Sequence, residues 1–222
     1  DVVKVDQAGD TLSTEGIDIS NLLVGSVNFS AWDFGGQEVF YPTHTFFLTK
    51  KAVYLVLFNI LDDDFSRVEY WVRLIKASTE HAPPVLLVGT HADLISSDDT
   101  LRSRVQVVRD RFSSHRNVQC VTAVSTATSY GIADLCNNLL RVVRDSRLLG
   151  SKVAGSYLLL ERQLEFLRQR RPTISYTEFT DAAAKAGLEK PKNQDSALKF
   201  LHDVGAVLHF DDSRSGPREK PQ

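Results

Sequence analysis

Two short runs, Ala52–Phe58 (AVYLVLF) and Val85–Val88 (VLLV), carry an apolar or aromatic residue at every position. A strand with one wet face alternates, so unbroken runs of this length suit strands covered on both faces of a mostly parallel sheet. Val118–Val124 supplies another β-rich run, and Val27, Phe29 and Ala31 alternate before Asp33. Helical spacing recurs between and after them, in Leu101, Val105, Val108 and Phe112 and again in Ile132, Leu135, Cys136 and Leu139. From Ile17 to about Arg147 the alternation of strand and helix predicts an α/β, doubly wound sheet.

After Leu148-Leu149-Gly150 the pattern turns helical. Tyr157, Leu160, Leu164 and Leu167 form a stripe that Pro172 stops. Ser175-Tyr176-Thr177-Glu178 is a capping-box pattern opening an alanine-rich helix, with Gly187 as its C′ residue. Leu198, Leu201 and Val204 form a third stripe closed by Gly205, and Ala206–Phe210 (AVLHF) reads as a strand. The expected organisation is a first domain over 1–148, the start of a second over 149–212, and a polar tail or linker over 213–222.

A formal net charge of −2 gives no basic surplus, which disfavours a general binder of nucleic acid or anionic membrane. No window approaches the roughly 18–20 apolar residues of a membrane span. Two cysteines, Cys120 and Cys136, are too few for a disulfide framework, so a cytoplasmic setting is expected. The chain begins with Asp and contains no methionine, and it therefore reads as a piece of a longer polypeptide.

The segment with chemical content is Trp32-Asp33-Phe34-Gly35-Gly36-Gln37-Glu38, placed directly after a strand. An aspartate there faces the crevice in which doubly wound sheets bind ligands, and it can reach a magnesium ion through water. Gly36 can offer its N–H to a terminal phosphate because no Cβ blocks close approach. Gln37 can orient a water for in-line attack, and is the candidate catalytic residue. The bland alternative is a strand end, an Asx turn and a glycine loop.

Val85–Val88 leads into Gly89-Thr90-His91-Ala92-Asp93, which resembles the guanine-specificity motif of small GTPases, N/T-K-x-D, with His91 at the lysine position. In that motif the carboxylate accepts from the guanine N1–H and 2-amino groups. The alternative for Asp93 is a helix N-cap before Leu94. Ser125-Thr126-Ala127, with Gly131 six residues after the serine, resembles the S-A-K motif, whose amides contact guanine O6. Thr14, within Ser13–Asp18 and nineteen residues before Asp33, resembles the first-switch threonine whose hydroxyl ligates magnesium. That interval fits two hairpin-paired strands. His44 sits in the second-switch region, with a solvated loop histidine as the alternative, and Trp71 is expected to pack a helix on the sheet.

Trp32 to His44, then Phe47-Leu48-Thr49 and Ala52–Val56, together with Gly89–Asp93, resemble the Roc domain of Roco proteins. Ser156 to Arg170 and Phe200–Phe210 resemble the opening of the COR domain that follows Roc, so the resemblance covers roughly residues 11 to 212. It implies a Ras-like GTPase sheet followed by a mostly helical part. It also implies GTP/GDP with Mg²⁺ as cofactor, and a slowly hydrolysing switch in a multidomain signalling protein that homodimerises through COR. Some members also carry a kinase domain, but no kinase signature occurs in this sequence, where Asp33-Phe34-Gly35 lacks its wider context.

One departure is plain: no G-x-x-x-x-G-K-[ST] phosphate loop occurs. The expectation is that the loop and its strand precede Asp1, and that the chain as given binds GTP weakly and is inactive alone. The rival function is a pseudo-GTPase scaffold for protein contacts. A flavodoxin-like phosphate binder fits the topology but leaves the spacing of Asp33, Asp93 and Ser125 unexplained.

Overall fold

The computed structural model describes residues 14, 17–37, 41–49, 51–77, 82–146, 148, 154–168, 170, 171 and 173–209. The chain divides into two compact units, Asp1–Ser151 and Lys152–Gln222.

In the first unit, β3 (Tyr54–Asn59), β4 (Val85–Thr90) and β5 (Val118–Ala123) form a parallel sheet in that spatial order. Leu87 pairs with Val56 on one side and Val121 on the other. Central β4 is buried from Val85 to Gly89, as its unbroken apolarity requires. On one face Val56, Leu87 and Val121 pack with Val68, Val72 and Ile75 of α2 (Ser66–Ala77) and Val108 of α3 (Asp98–Arg111). On the other, Leu86 and Val88 meet Val142, Ile132, Leu135 and Leu139 of α4 (Ile132–Asp145). Each such Val or Leu gains about 1.5–3 kcal/mol from burial, so the β4 residues anchor the unit. Trp71 packs against the α2-side core as expected.

Two sequence expectations change here. The run Ala52–Phe58 is covered on one face only: Val56 is buried while Leu55 and Leu57 are exposed. β3 is one of the two edge strands of the described sheet, and α4 packs over β4 and β5 rather than over β3. The alternating run before Asp33 does not join this sheet. It forms β2 (Val27–Phe34), paired antiparallel with β1 (Ile17–Val24) as a separate hairpin from Ile17↔Phe34 to Val24↔Val27. The hairpin turns through Gly25, whose φ of +59° suits a residue without a Cβ. Its half-exposed pattern explains why its sequence alternates where that of β4 does not.

Phe34 and Trp32 of β2 lean on Phe47, and Phe34 also meets His44 at 5.0 Å. His44 ends the short helix α1 (Tyr41–His44), whose Tyr41 stacks on Tyr70 and meets Trp71 edge-on at 4.8 Å. Tyr54 closes this segment, its hydroxyl donating to the Thr49 carbonyl (2.8 Å) and accepting from the Thr49 N–H (2.7 Å). Burial pushes that phenol up to about 12.

The second unit holds α5 (Gly155–Arg168), α6 (Tyr176–Lys185) and α7 (Pro191–Asp203) around Leu160, Leu164, Phe179, Ala183, Ala197 and Leu201. The capping box is present, with Ser175 accepting from the Glu178 N–H and the Glu178 carboxylate accepting from the Ser175 N–H. That amide, the Arg171 guanidinium and the Ser175 hydroxyl hold the Glu178 carboxyl below its usual range. Gly187 takes φ +87° after α6, and the Leu188 N–H returns to the Ala183 carbonyl at 2.9 Å. The strand expected at Ala206–Phe210 is absent over 206–209, and Phe210 lies outside the described residues. Gly205 takes φ +75°, and the N–H groups of Ala206 and Val207 both return to the Leu201 carbonyl, a C-terminal cap that uses the donors a strand would need. Pro172 and the tail 213–222 also lie outside the described residues. No helix among the described residues is long and apolar enough to cross a membrane.

Candidate functional site

Two clusters gather the residues singled out by the sequence, both in the first unit. One lies where β4 and β5 end. The Val124 N–H donates to the Gly89 carbonyl (2.7 Å) and the Ala92 N–H to the Val124 carbonyl (3.1 Å), so the two loops run on side by side. Ser125, 1% exposed, accepts from the Thr128 N–H at 3.2 Å. That serine hydroxyl is the chief reason the Asp93 carboxyl lies below its ordinary range, with the Asp93 amide and the nearby His91 helping and partial desolvation opposing. Asp93 lies within a single 3₁₀ turn, Ala92–Leu94, so the N-cap reading does not hold. The cap of the next helix is Ser97, which accepts from the Thr100 N–H. Thr126 and Ala127 are exposed in the turn that follows Ser125.

His91 precedes this turn in the left-handed region, φ 63° and ψ 33°, a conformation histidine tolerates better than most residues. Thr90 donates to the Phe58 carbonyl at 3.1 Å, and its hydroxyl oxygen lies 2.9 Å from His91 Nδ1. Behind it the Ile60 N–H donates to the Thr90 carbonyl, and Arg104 of α3 holds the Ile60 and Leu61 carbonyls at 3.1 Å each. Gly131 closes the floor: with φ +71°, it faces the Ala123 carbonyl oxygen, which an added Cβ would approach to 2.2 Å. Sequence reasoning placed Gly131 by spacing alone and gave no role to Phe58, Ile60 or Arg104.

The second cluster hangs on the hairpin. Register places Asp18 opposite Asp33, so the segment leading into β1 passes beside the end of β2. Thr14 there donates its hydroxyl to the Asp33 carboxylate at 2.7 Å. These are two hard oxygen donors, the type magnesium takes while keeping water and phosphate oxygens in its other positions, so the pair fits such an ion. Among the described residues no group of three or more His, Cys, Asp or Glu is placed to hold a metal unaided. Gly35 is buried, while Gly36 and Gln37 are exposed, and a Cβ at Gly36 would meet nothing within 4 Å. Tyr41 donates to the Gly36 carbonyl at 3.4 Å, a contact that sequence reasoning missed. His44 is not a solvated loop residue: it is 1% exposed, stacked on Trp71 at 5.6 Å, and burial lowers its pKa.

With this geometry in view, comparisons with known proteins are specific. The family described as "Ras of Complex, Roc, domain of DAPkinase" matches residues 4–93, and the "C-terminal of Roc, COR-A domain" matches 154–218. The chain is 40% identical over 165 residues to the probable serine/threonine-protein kinase roco11 of Dictyostelium discoideum, covering 72% of this chain and 11% of that protein. It is 26% identical over 233 residues to leucine-rich repeat serine/threonine-protein kinase 1 of Mus musculus, covering 90% of this chain and 12% of that protein. The chain thus spans a small part of its curated relatives, 17% in the case of qkgA of Dictyostelium discoideum. Among solved structures, Methanosarcina barkeri Roco2 RocCORdC bound to GDP is similar at a TM-score of 0.67 and 23% identity, covering 90% of this chain and 59% of that one.

Proposed function

The chain belongs to the Roco family, and from that premise we propose that it is a guanine-nucleotide switch module that binds GTP and GDP and slowly hydrolyses GTP. The observation that carries this reading is the placement of the Asp93 carboxylate at the carboxyl ends of parallel strands β4 and β5, in the loop that runs beside Ser125. An ionised carboxylate there can accept from both the N1–H and the 2-amino group of guanine, and adenine offers no matching pair of donors. His91, set against the Thr90 hydroxyl, would flank the base, and the backbone of Ser125, Thr126 and Ala127 would meet its O6. That the Methanosarcina relative was solved bound to GDP supports the nucleotide-binding reading.

At the other cluster Thr14 and Asp33 would hold magnesium, Asp33 through a water, and the ion would neutralise phosphate charge. Gly36 would donate its N–H to the γ-phosphate, and Gln37 would orient the attacking water. COR would support homodimerisation in a cytoplasmic, multidomain signalling protein. The lysine-to-histidine exchange at His91 keeps a scaffold without nucleotide as the second reading. Calorimetric titration of the full-length protein with Mg·GTP, Mg·GDP and Mg·ATP separates the two. The switch reading expects guanine nucleotides to bind at least a hundredfold tighter than ATP, and no heat with any of them overturns it.

A further inference from the structure

The Thr90 hydroxyl has one hydrogen and two neighbours, the Phe58 carbonyl at 3.1 Å and His91 Nδ1 at 2.9 Å. The carbonyl can only accept, so the hydrogen goes there. Toward His91 the hydroxyl can then act only as acceptor, and Nδ1 must carry a proton. We infer that Thr90 is a positioning residue that fixes the His91 imidazole in its Nδ1–H form and in one ring orientation, and that this held ring, rather than a lysine, flanks the purine. The inference rests on the nucleotide-binding reading and deepens it, because it names what makes a histidine serviceable at that position.

Two features make the arrangement stiff. Phe58 belongs to β3, and Asn59 after it pairs with Thr90 in the ladder, so the carbonyl that takes the hydrogen is set by the sheet. His91 is confined by its left-handed backbone, which leaves little slack between its ring and the residue before it. Serine or threonine is required at 90, since valine has the shape of threonine but no hydroxyl. An imidazole without an acceptor at 90 would turn and exchange tautomers. Nε2, away from Thr90, stays an acceptor in the neutral ring and a donor when the ring is charged.

The test has two readouts. The first is nitrogen NMR of the chain with labelled histidine. It has six histidines, and His91→Gln assigns the signal in question. The second is the dissociation rate of a fluorescent GDP from the full-length protein. Wild type and Thr90→Ser are expected to show Nδ1 protonated and similar dissociation. Thr90→Val is expected to show mixed tautomers and to release GDP about fivefold faster, the size of one lost neutral hydrogen bond. In a His91→Ala background Thr90→Val is expected to change the rate less than twofold, because Thr90 acts through the ring. A wild-type ring protonated at Nε2 alone overturns the inference, as does a Thr90→Val effect that survives His91→Ala. If wild type binds no guanine nucleotide while the Nδ1 signal is as expected, it is the functional reading that fails, and with it the role assigned to the held ring.

Discussion

The two clusters are built on unlike supports. At the end proposed to read the base, the ladder of β4 and β5 continues into the loops, and Ser125 is buried. At the end proposed to face the phosphate, Thr14 donates to Asp33 on a hairpin whose strands, among the described residues, pair only with each other, and Gly36 and Gln37 are exposed. The physical lesson is a division of labour. A group that must discriminate between bases gains from a support that does not yield, since an unmatched buried acceptor is costly only where it cannot relax. A segment that must respond to one phosphate gains from few commitments, because small contact energies then shift its population.

The sharpest way to break this comparison uses one glycine from each end. At Gly131 an alanine would combine a left-handed φ with a Cβ 2.2 Å from the Ala123 carbonyl oxygen. Gly131→Ala is therefore expected to cost about 3 kcal/mol in denaturant unfolding. At Gly36 the same substitution meets open space, and stability should stay within about 0.5 kcal/mol of wild type. Equal losses at the two sites would show that the hairpin loop is as rigid as the sheet end.

Next in size is base choice. Asp93→Asn removes the charge that would accept two donors, and GTP affinity in the full-length protein should fall about a hundredfold, on the order of 2–3 kcal/mol. Xanthine nucleotides, with a carbonyl where guanine has the 2-amino group, should gain relative to GTP. Competition among GTP, XTP and ATP reads this directly, and equal losses for all three would mean Asp93 only holds the loop.

At the yielding end, Gln37→Leu in the full-length protein should slow single-turnover GTP hydrolysis about tenfold or more while leaving affinity within about twofold. The proposed contact exists only in the transition state. An unchanged rate would remove Gln37 from the mechanism.

How far the sequence foretold these supports differs in the same way. Central β4 was legible because burial on both faces leaves an unbroken apolar run, and the nineteen-residue interval from Thr14 to Asp33 already implied the hairpin that joins them. The Asp93–Ser125 pairing was legible only as two motifs in order. The burial of Ser125, the left-handed turn at His91 and the tie from Thr90 to Phe58 arise from contacts distant in sequence or from backbone angles no composition encodes. His44 looked like a loop residue, since nothing local announces that Phe34 and Trp71 will enclose it. Ala206–Phe210 looked like a strand because the run is short and mostly apolar, and nothing in it announces that the Ala206 and Val207 amides cap α7 after Gly205. Leu55 and Leu57 looked buried because periodicity cannot say which strand will be the edge.

The smallest effect asks whether the Asp93 end is organised before any ligand arrives. Ser125 is the leading cause of the lowered Asp93 pKa, so Ser125→Ala should raise it toward the ordinary aspartate range, as followed by carboxyl NMR across acidic pH. The sign for stability follows. A carboxyl depressed on folding contributes above its unfolded pKa, and the contribution is lost as pH falls through the lower, folded value. Wild type should therefore lose this increment in acid, below about pH 4, and Ser125→Ala should lose less of it, because less is present. Asp93 is exposed, so water and salt screen the interaction and the difference between the curves should be slight. An Asp93 titration that does not move in Ser125→Ala would mean that the hydroxyl does not hold the carboxylate in solution. The stiffness attributed to this end would then have to come from the sheet alone.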